Sequence, residues 1–191
     1  MKKIFSISTL MFAVLILPAV SFAQKGSIFT KGTKFIGGEI SFQDRSVTYD
    51  YNDHETDESV TTVTLAPVMG YFLTPNVALW GQLNYTDIED DHTEFGLTVG
   101  ASYYHPLTDA FYFYGGAGIG FLNWDVNDNN NSTVLGIELQ GGALYMLATN
   151  LGVNAALKIR LFMGSGEIAG FDVDITGREL GIGYFGVIGF F

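Results

Sequence analysis

The sequence predicts an all-β protein: an eight-stranded antiparallel up-and-down barrel that crosses a lipid bilayer, preceded by a cleaved signal peptide. Three observations predict it. The chain opens with an export leader; eight stretches of period-two alternation follow, with no uncharged run long enough for a membrane helix; and the connections between those stretches alternate short and long.

The leader is "MKKIFSISTLMFAVLILPAVSFAQ". Lys2 and Lys3 precede an apolar run centred on Leu10 to Leu17, then Pro18 and the small-residue ending Ser21-Phe22-Ala23. That is the pattern of a secretory signal cut after Ala23, giving a signal peptide over 1–23 and one barrel domain over 24–191. The blander reading, an uncleaved anchor, rests on the absence of charge from Ile4 to Ala23, and Pro18 and the cleavage-site ending oppose it. With no cysteine, neither a disulfide nor a lipid-modified cysteine is available. Loss of Lys2 and Lys3 takes the 9 basic residues to 7 against 20 acids, and the formal charge from −11 to −13. Such an acid excess opposes nucleic-acid binding, which needs a basic footprint.

In chain order the alternation places strands near Thr33 to Gln43, Val60 to Phe72, Val77 to Thr86, Thr93 to Tyr104, Ala110 to Leu122, Ser132 to Leu147, Leu151 to Met163 and Gly177 to Phe191. Each reaches the nine to eleven residues that a tilted membrane strand needs. Short turns hold Thr74-Pro75-Asn76, His105 to Asp109 and Ala148-Thr149-Asn150, and long connections hold Asp44 to Ser59, Asp87 to His92, Asn123 to Asn131 and Gly164 to Thr176. Short periplasmic turns and longer outer loops are the habit of outer-membrane barrels. "YFLTPN", "YHPLTD" and "YMLATN" repeat a tyrosine five residues before Asn or Asp. Tyr71, Tyr103, Phe111, Phe113 and Tyr145 gather at the short-turn end, and Phe42, Tyr85, Phe95, Phe121 and Trp124 at the other, as two aromatic girdles. Pro67 cannot donate to a ladder and predicts a local bulge.

The chain therefore resembles the small outer-membrane β-barrel family, the OmpA/OmpX-like eight-stranded barrels of Gram-negative bacteria. The residues that carry the likeness are "PVMGYFLT" from Pro67 to Thr74 with Asn76, Ala78 and Gly81, the glycine-rich "FYFYGGAGIGF" from Phe111 to Phe121, and the closing "ELGIGYFGVIGFF". The resemblance implies an outer-membrane protein with periplasmic termini, embedded in lipid and needing no cofactor. It also implies that the aromatic C-terminal strand, ending in Phe191, is the signal read by the barrel-assembly machinery.

"LGVNAALKIRLFM", Leu151 to Met163, decides which face is which. Leu151, Val153, Ala155, Leu157, Ile159, Leu161 and Met163 lie on one side, and Asn154, Lys158 and Arg160 on the other. In a membrane barrel the apolar side meets lipid and the charges point into a lumen that eight strands leave just wide enough for side chains to fill. The predicted lumen set is Glu39, Ser41, Gln43, Gln82, Asn84, Thr98, Ser102, Glu138, Gln140, Lys158 and Arg160, with Glu138 facing Arg160 and Gln140 facing Lys158 if Thr149 centres its hairpin. Glu138→Ala should then cost more stability than Asp128→Ala in a loop. In the last strand, Leu180, Ile182, Tyr184, Ile188 and Phe190 are assigned to lipid, leaving Glu179 luminal and Arg178 at the interface.

Chemistry is harder to find. His54 and His92 fall in acidic loops and His105 in a turn, and no H-x-S pattern of a lipid A deacylase occurs. "DYNDHETDES" and "DVNDNNNS" collect oxygen ligands, with Asp125, Asn127 and Asn129 at EF-hand-like spacing. The match fails at Asn130 and Gly136, where a glycine and a bidentate glutamate are required. Gly181-x-Gly183-x-x-Gly186 fits a dinucleotide fingerprint but opens no helix. The expectation is a non-enzymatic structural or surface-interaction protein acting through acidic outer loops. The rival readings are a small-solute pore, a lipid A-modifying enzyme and a soluble lipocalin-like ligand barrel.

Overall fold

The computed structural model describes residues 29–51, 54–88, 92–127, 130–168 and 171–191. The leader read over 1–23 lies outside them. Eight strands, β1 (Lys34–Tyr51), β2 (His54–Phe72), β3 (Val77–Ile88), β4 (His92–Pro106), β5 (Phe111–Asn127), β6 (Asn130–Ala148), β7 (Leu151–Ile168) and β8 (Phe171–Phe190), close into one antiparallel barrel in chain order. Among the described residues no helix is long and apolar enough to cross a membrane.

The register fixes the barrel's shape. Starting at Ile40, successive partners are Leu65, Tyr85, Phe95, Asn123, Thr133, Ser165 and Asp174, and the last pairs with Asp50 back on β1. One circuit thus returns ten residues further along, a stagger that for eight strands gives a tilt of about 40°. The seam is completed by Lys34 and Phe191, whose backbones exchange bonds of 2.8 and 2.9 Å.

Alternation sorts the faces. Leu157, Ile159, Leu161 and Met163 are exposed on the outside while Lys158, Arg160 and Phe162 are buried inside. A soluble ligand-binding barrel needs the reverse, and an outer wall of this kind is stable only under lipid. Of the two girdles, Tyr71, Phe113 and Tyr145 stand exposed at one end and Phe42, Tyr85, Phe95 and Phe121 at the other. The side chain of Trp124 lies outside the described set.

Two of the repeated hexapeptides share a turn device. Thr74 Oγ accepts from Val77 N at 3.1 Å and Thr108 Oγ from Phe111 N at 3.0 Å, so the threonine caps the turn and hands the chain to the next strand. The tyrosines are not equivalent: Tyr71 and Tyr145 face outward, whereas Tyr104 is buried in the lumen.

Three expectations are corrected. The long connections are largely strand, since β1 runs to Tyr51 and β2 begins at His54. Beyond the apolar belt the outward face turns polar as well, so the period-two signal vanishes while the backbone ladder continues. Pro67 makes no bulge, because β1 pairs through it without a shift, opposite Gly38; the β2–β3 ladder simply lapses between Leu65 and Val68 in unchanged register. In β8 the phase reverses. Leu180 faces out and Glu179 in, but Tyr184, Ile188 and Phe190 are luminal, and Phe185, Val187 and Phe191 face out. One extra residue in β8 shifts both its ladders, between Ala156/Leu157 on β7 and between Ile40/Phe42 on β1. Such a bulge exchanges the two faces of everything after it.

Candidate functional site

The barrel interior is stacked in layers. At the short-turn end Phe29, Phe35, Phe72, Tyr104, Tyr112 and Phe190 form an aromatic plug. Phe29 precedes β1 and is 2% exposed; its ring stacks on Phe72 at 4.4 Å and lies 4.8 Å from Phe190 and 5.1 Å from Tyr112. Gly32, at φ 91°, turns the chain so that this ring can enter the lumen before β1 begins, and its N–H donates to Phe72 O at 2.7 Å.

Above the plug, Lys158 on β7 crosses the lumen. Its Nζ donates to Glu39 Oε2 on β1 at 2.6 Å and to Gln82 Oε1 on β3 at 2.5 Å, and sits 4.2 Å from the Tyr184 ring centroid. Asn154 supports it, donating to Glu39 Oε1 at 2.6 Å and to Tyr114 Oη at 3.2 Å. Gln43 donates to Tyr184 Oη at 2.6 Å and to Ser41 Oγ at 3.3 Å, and Gln82 Nε2 donates to Asn84 Oδ1 at 2.7 Å.

The next layer is an ionic chain through five side chains. Arg160 Nη2 donates to Glu138 Oε2 at 2.6 Å and its Nη1 to Glu179 Oε1 at 3.3 Å. Glu179 Oε2 also accepts from Arg45 at 2.8 and 3.2 Å, and Arg45 reaches Glu94 on the far side, β1 to β4. All five are buried. Val47, Leu122, Val134, Phe162 and Ile175 then form a second apolar layer on the long-loop side. Ion pairs held between two apolar layers feel little water, so each charge depends on its partner.

The structure thus places Glu39, Ser41, Gln43, Gln82, Asn84, Thr98, Ser102, Glu138, Lys158, Arg160 and Glu179 in the lumen, with Gln140 half-buried there. Glu138 and Arg160 are cross-strand partners and bonded. Gln140 stands opposite Lys158 in register, yet its Nε2 donates to Ser102 Oγ at 2.9 Å, because Lys158 is drawn across to Glu39. Sequence reasoning missed Arg45, Glu94, Tyr114 and Phe29, and put Asn154 on the luminal face of its strand without giving it a place in the network. Arg45 keeps the parity of Glu39, Ser41 and Gln43, and Glu94 that of Thr98 and Ser102. Carrying the first alternation two residues past Gln43 and the second four residues before Thr98 would have found both.

Among the described residues no group of His, Asp and Glu could hold a metal ion. Of the EF-hand-like spacing, Asp125 and Asn127 belong to β5 and pair with Asn131 and Asn130, and Asn129 lies outside the described residues. Gly181 and Gly186 of the dinucleotide-like motif are packing residues. A Cβ on Gly181 would strike the Tyr184 ring, and one on Gly186 would strike Asn154 and the Gly38 carbonyl.

The rim is uneven. β7, β8, β1 and β2 rise together to the pairs Ile168–Phe171 and Tyr51–His54, whereas β3 stops at Ile88 and pairs with β2 no further than Thr64–Thr86. Among the described residues, 54–63 of β2 therefore have a ladder partner on one side only, β1.

No protein-family model matches the chain, and no curated protein matches it in sequence. Solved structures do match. Neisserial surface protein A superimposes with a TM-score of 0.59 at 12% identity, covering 83% of this chain and 99% of that one. The outer membrane protein OprG of Pseudomonas aeruginosa gives 0.56 at 15%, covering 85% and 99%. The outer membrane protease OmpT of Escherichia coli gives 0.54 at 9%, covering 90% and 100%. The fold is that of small outer-membrane β-barrels.

Proposed function

We propose that this chain is a non-enzymatic outer-membrane protein in which a sealed barrel anchors a tall polar rim, and that the rim binds a partner outside the cell. The observation that carries the reading is the crossing made by Lys158. One side chain ties β7 to both β1 and β3, so the lumen is spanned as well as lined. An aromatic plug below and an apolar layer above stand across the lumen, which disfavours a solute pore. The upper part of β2, which among the described residues pairs with β1 alone, supports the interaction half of the reading, because a strand paired on one side can accept an added strand from another chain.

The test combines three measurements on the expressed protein. It should fractionate with the outer membrane and migrate differently boiled and unboiled, give no discrete conductance steps in planar bilayers, and leave the mass of lipid A unchanged in the host. Conductance steps would replace the reading with a pore, and an altered lipid A with an enzyme. Hydrogen exchange tests the edge: in residues 68–72 of β2, which pair with both β1 and β3, the amides should be protected throughout, whereas in 54–63 alternate amides should exchange rapidly. Uniform protection over 54–63 would show that the edge is covered.

A further inference from the structure

The outer wall carries a groove of ≈ 720 Å³ that neither the lumen nor the rim explains. Tyr71, Leu79, Ala101 and Ala117 are successive cross-strand partners from β2 to β5 and form its lower row; the next row runs from Gly81 to Ile137 on β6. Gly81, Ala101 and Ala117 make the floor low between larger neighbours. Tyr71 is one residue from the short-turn end of β2, whereas Ile137 is well up β6, so the groove climbs diagonally. Across four interstrand gaps it runs about 19 Å. One leaflet of hydrocarbon is about 15 Å deep, so a single tilted acyl chain can occupy the groove along its length.

Charge singles out its lower mouth. Lys34 is the direct cross-strand partner of Tyr71, both point outward, and Lys31 is exposed just before β1. Of the other described basic residues, Arg45, Lys158 and Arg160 are inside the lumen, and Arg178 is on the long-loop side of the belt. No ion pair within the described residues engages Lys31 or Lys34.

We propose that this wall binds one anionic phospholipid from the leaflet on the short-turn side, its phosphate at Lys34 and Lys31 and one acyl chain along the groove over Ala101 and Ala117. The inference rests on the membrane-barrel reading above. It is tested by native mass spectrometry of the folded protein released from detergent micelles, with phosphatidylglycerol as the probe and diacylglycerol, which lacks the phosphate, as comparator. One phosphatidylglycerol should be retained in preference to diacylglycerol. Lys34→Gln should weaken retention about fivefold. Ala101→Phe, which fills the floor, should abolish selective retention, and Ala155→Phe on the outer face of β7, outside the groove, should leave it unchanged. Equal retention of the two lipids, or retention by Ala101→Phe equal to the parent's, overturns the proposal. Boiled and unboiled gels are run on every sample. A parent protein with no shift sinks the barrel reading itself, while a shift without selective retention sinks the groove alone.

Discussion

Glu138→Ala tests the lumen most directly. The substitution removes the carboxylate that receives Arg160 Nη2 at 2.6 Å and leaves that guanidinium with Glu179, at 3.3 Å, as its remaining acid. Glu138 is 1% exposed, so water replaces little of what is lost. Breaking a buried pair from one side costs about 3–5 kcal/mol. Because Glu179 still neutralises Arg160, Glu138→Ala belongs near 3 kcal/mol. Arg160→Ala belongs near 5 kcal/mol, since it strands Glu138 and takes one of two arginines from Glu179. With a urea slope of about 2 kcal/mol/M, the midpoints fall by roughly 1.5 and 2.5 M. Asp44→Ala is the control, because Asp128 lies outside the described residues. Asp44 is exposed on the outer face, bonded to Ser59 Oγ at 3.3 Å, and should shift the midpoint by no more than about 0.25 M. The double variant should cost about 2 kcal/mol less than the sum of its singles, because no stranded partner remains. The assay is urea unfolding of the micelle-folded barrel, followed by the fluorescence of buried Trp80. A Glu138→Ala midpoint equal to that of Asp44→Ala, or strictly additive singles, would refute the argument that these charges depend on one another.

Two further substitutions probe the wall and the plug. Ile159→Lys introduces a charge in the apolar belt and should destabilise the vesicle-inserted barrel by about 2–4 kcal/mol; no loss in vesicles would mean that this face does not meet lipid. Phe29→Ala empties the centre of the aromatic plug and should cost about 3 kcal/mol, yet planar-bilayer conductance should stay at baseline because Lys158, Glu39 and Gln82 still close the layer above. Conductance steps from that variant would show that the plug alone seals the lumen.

Much of this was legible in the sequence because lipid outside and a filled lumen inside impose opposite chemistry on alternate residues. Leu151 to Met163 is the clearest case, and the short turns were placed closely because threonine, proline and asparagine mark them. What was lost has specific causes. The upper halves of β1 and β2 carry polar residues on their outward face too, so Arg45 was read into a loop although it ties three strands together. β8 was assigned a single phase, and one inserted residue exchanged its faces from Tyr184 onward. Phe29 belongs to no strand, and nothing in its neighbours signals that the ring folds back into the barrel. Gln140 shows a further limit: register names the residue across the ladder, but the bond a side chain makes depends on what else the lumen offers.

The seam between Lys34 and Phe191 also bears on how the molecule comes into being. The first strand meets its second neighbour only in β8, so until β8 is in place the rest is a curved sheet with two unsatisfied edges. Joining ends about 150 residues apart carries a loop-closure cost of roughly 4–5 kcal/mol, and nothing local offsets it before β8 arrives. Closure is therefore a late, concerted event, and the species before it is prone to pair with any strand it meets. A chain truncated before β8 is on this view not a weaker barrel but an open one, with the Arg45–Glu179–Arg160 bridge missing from the side that should have closed.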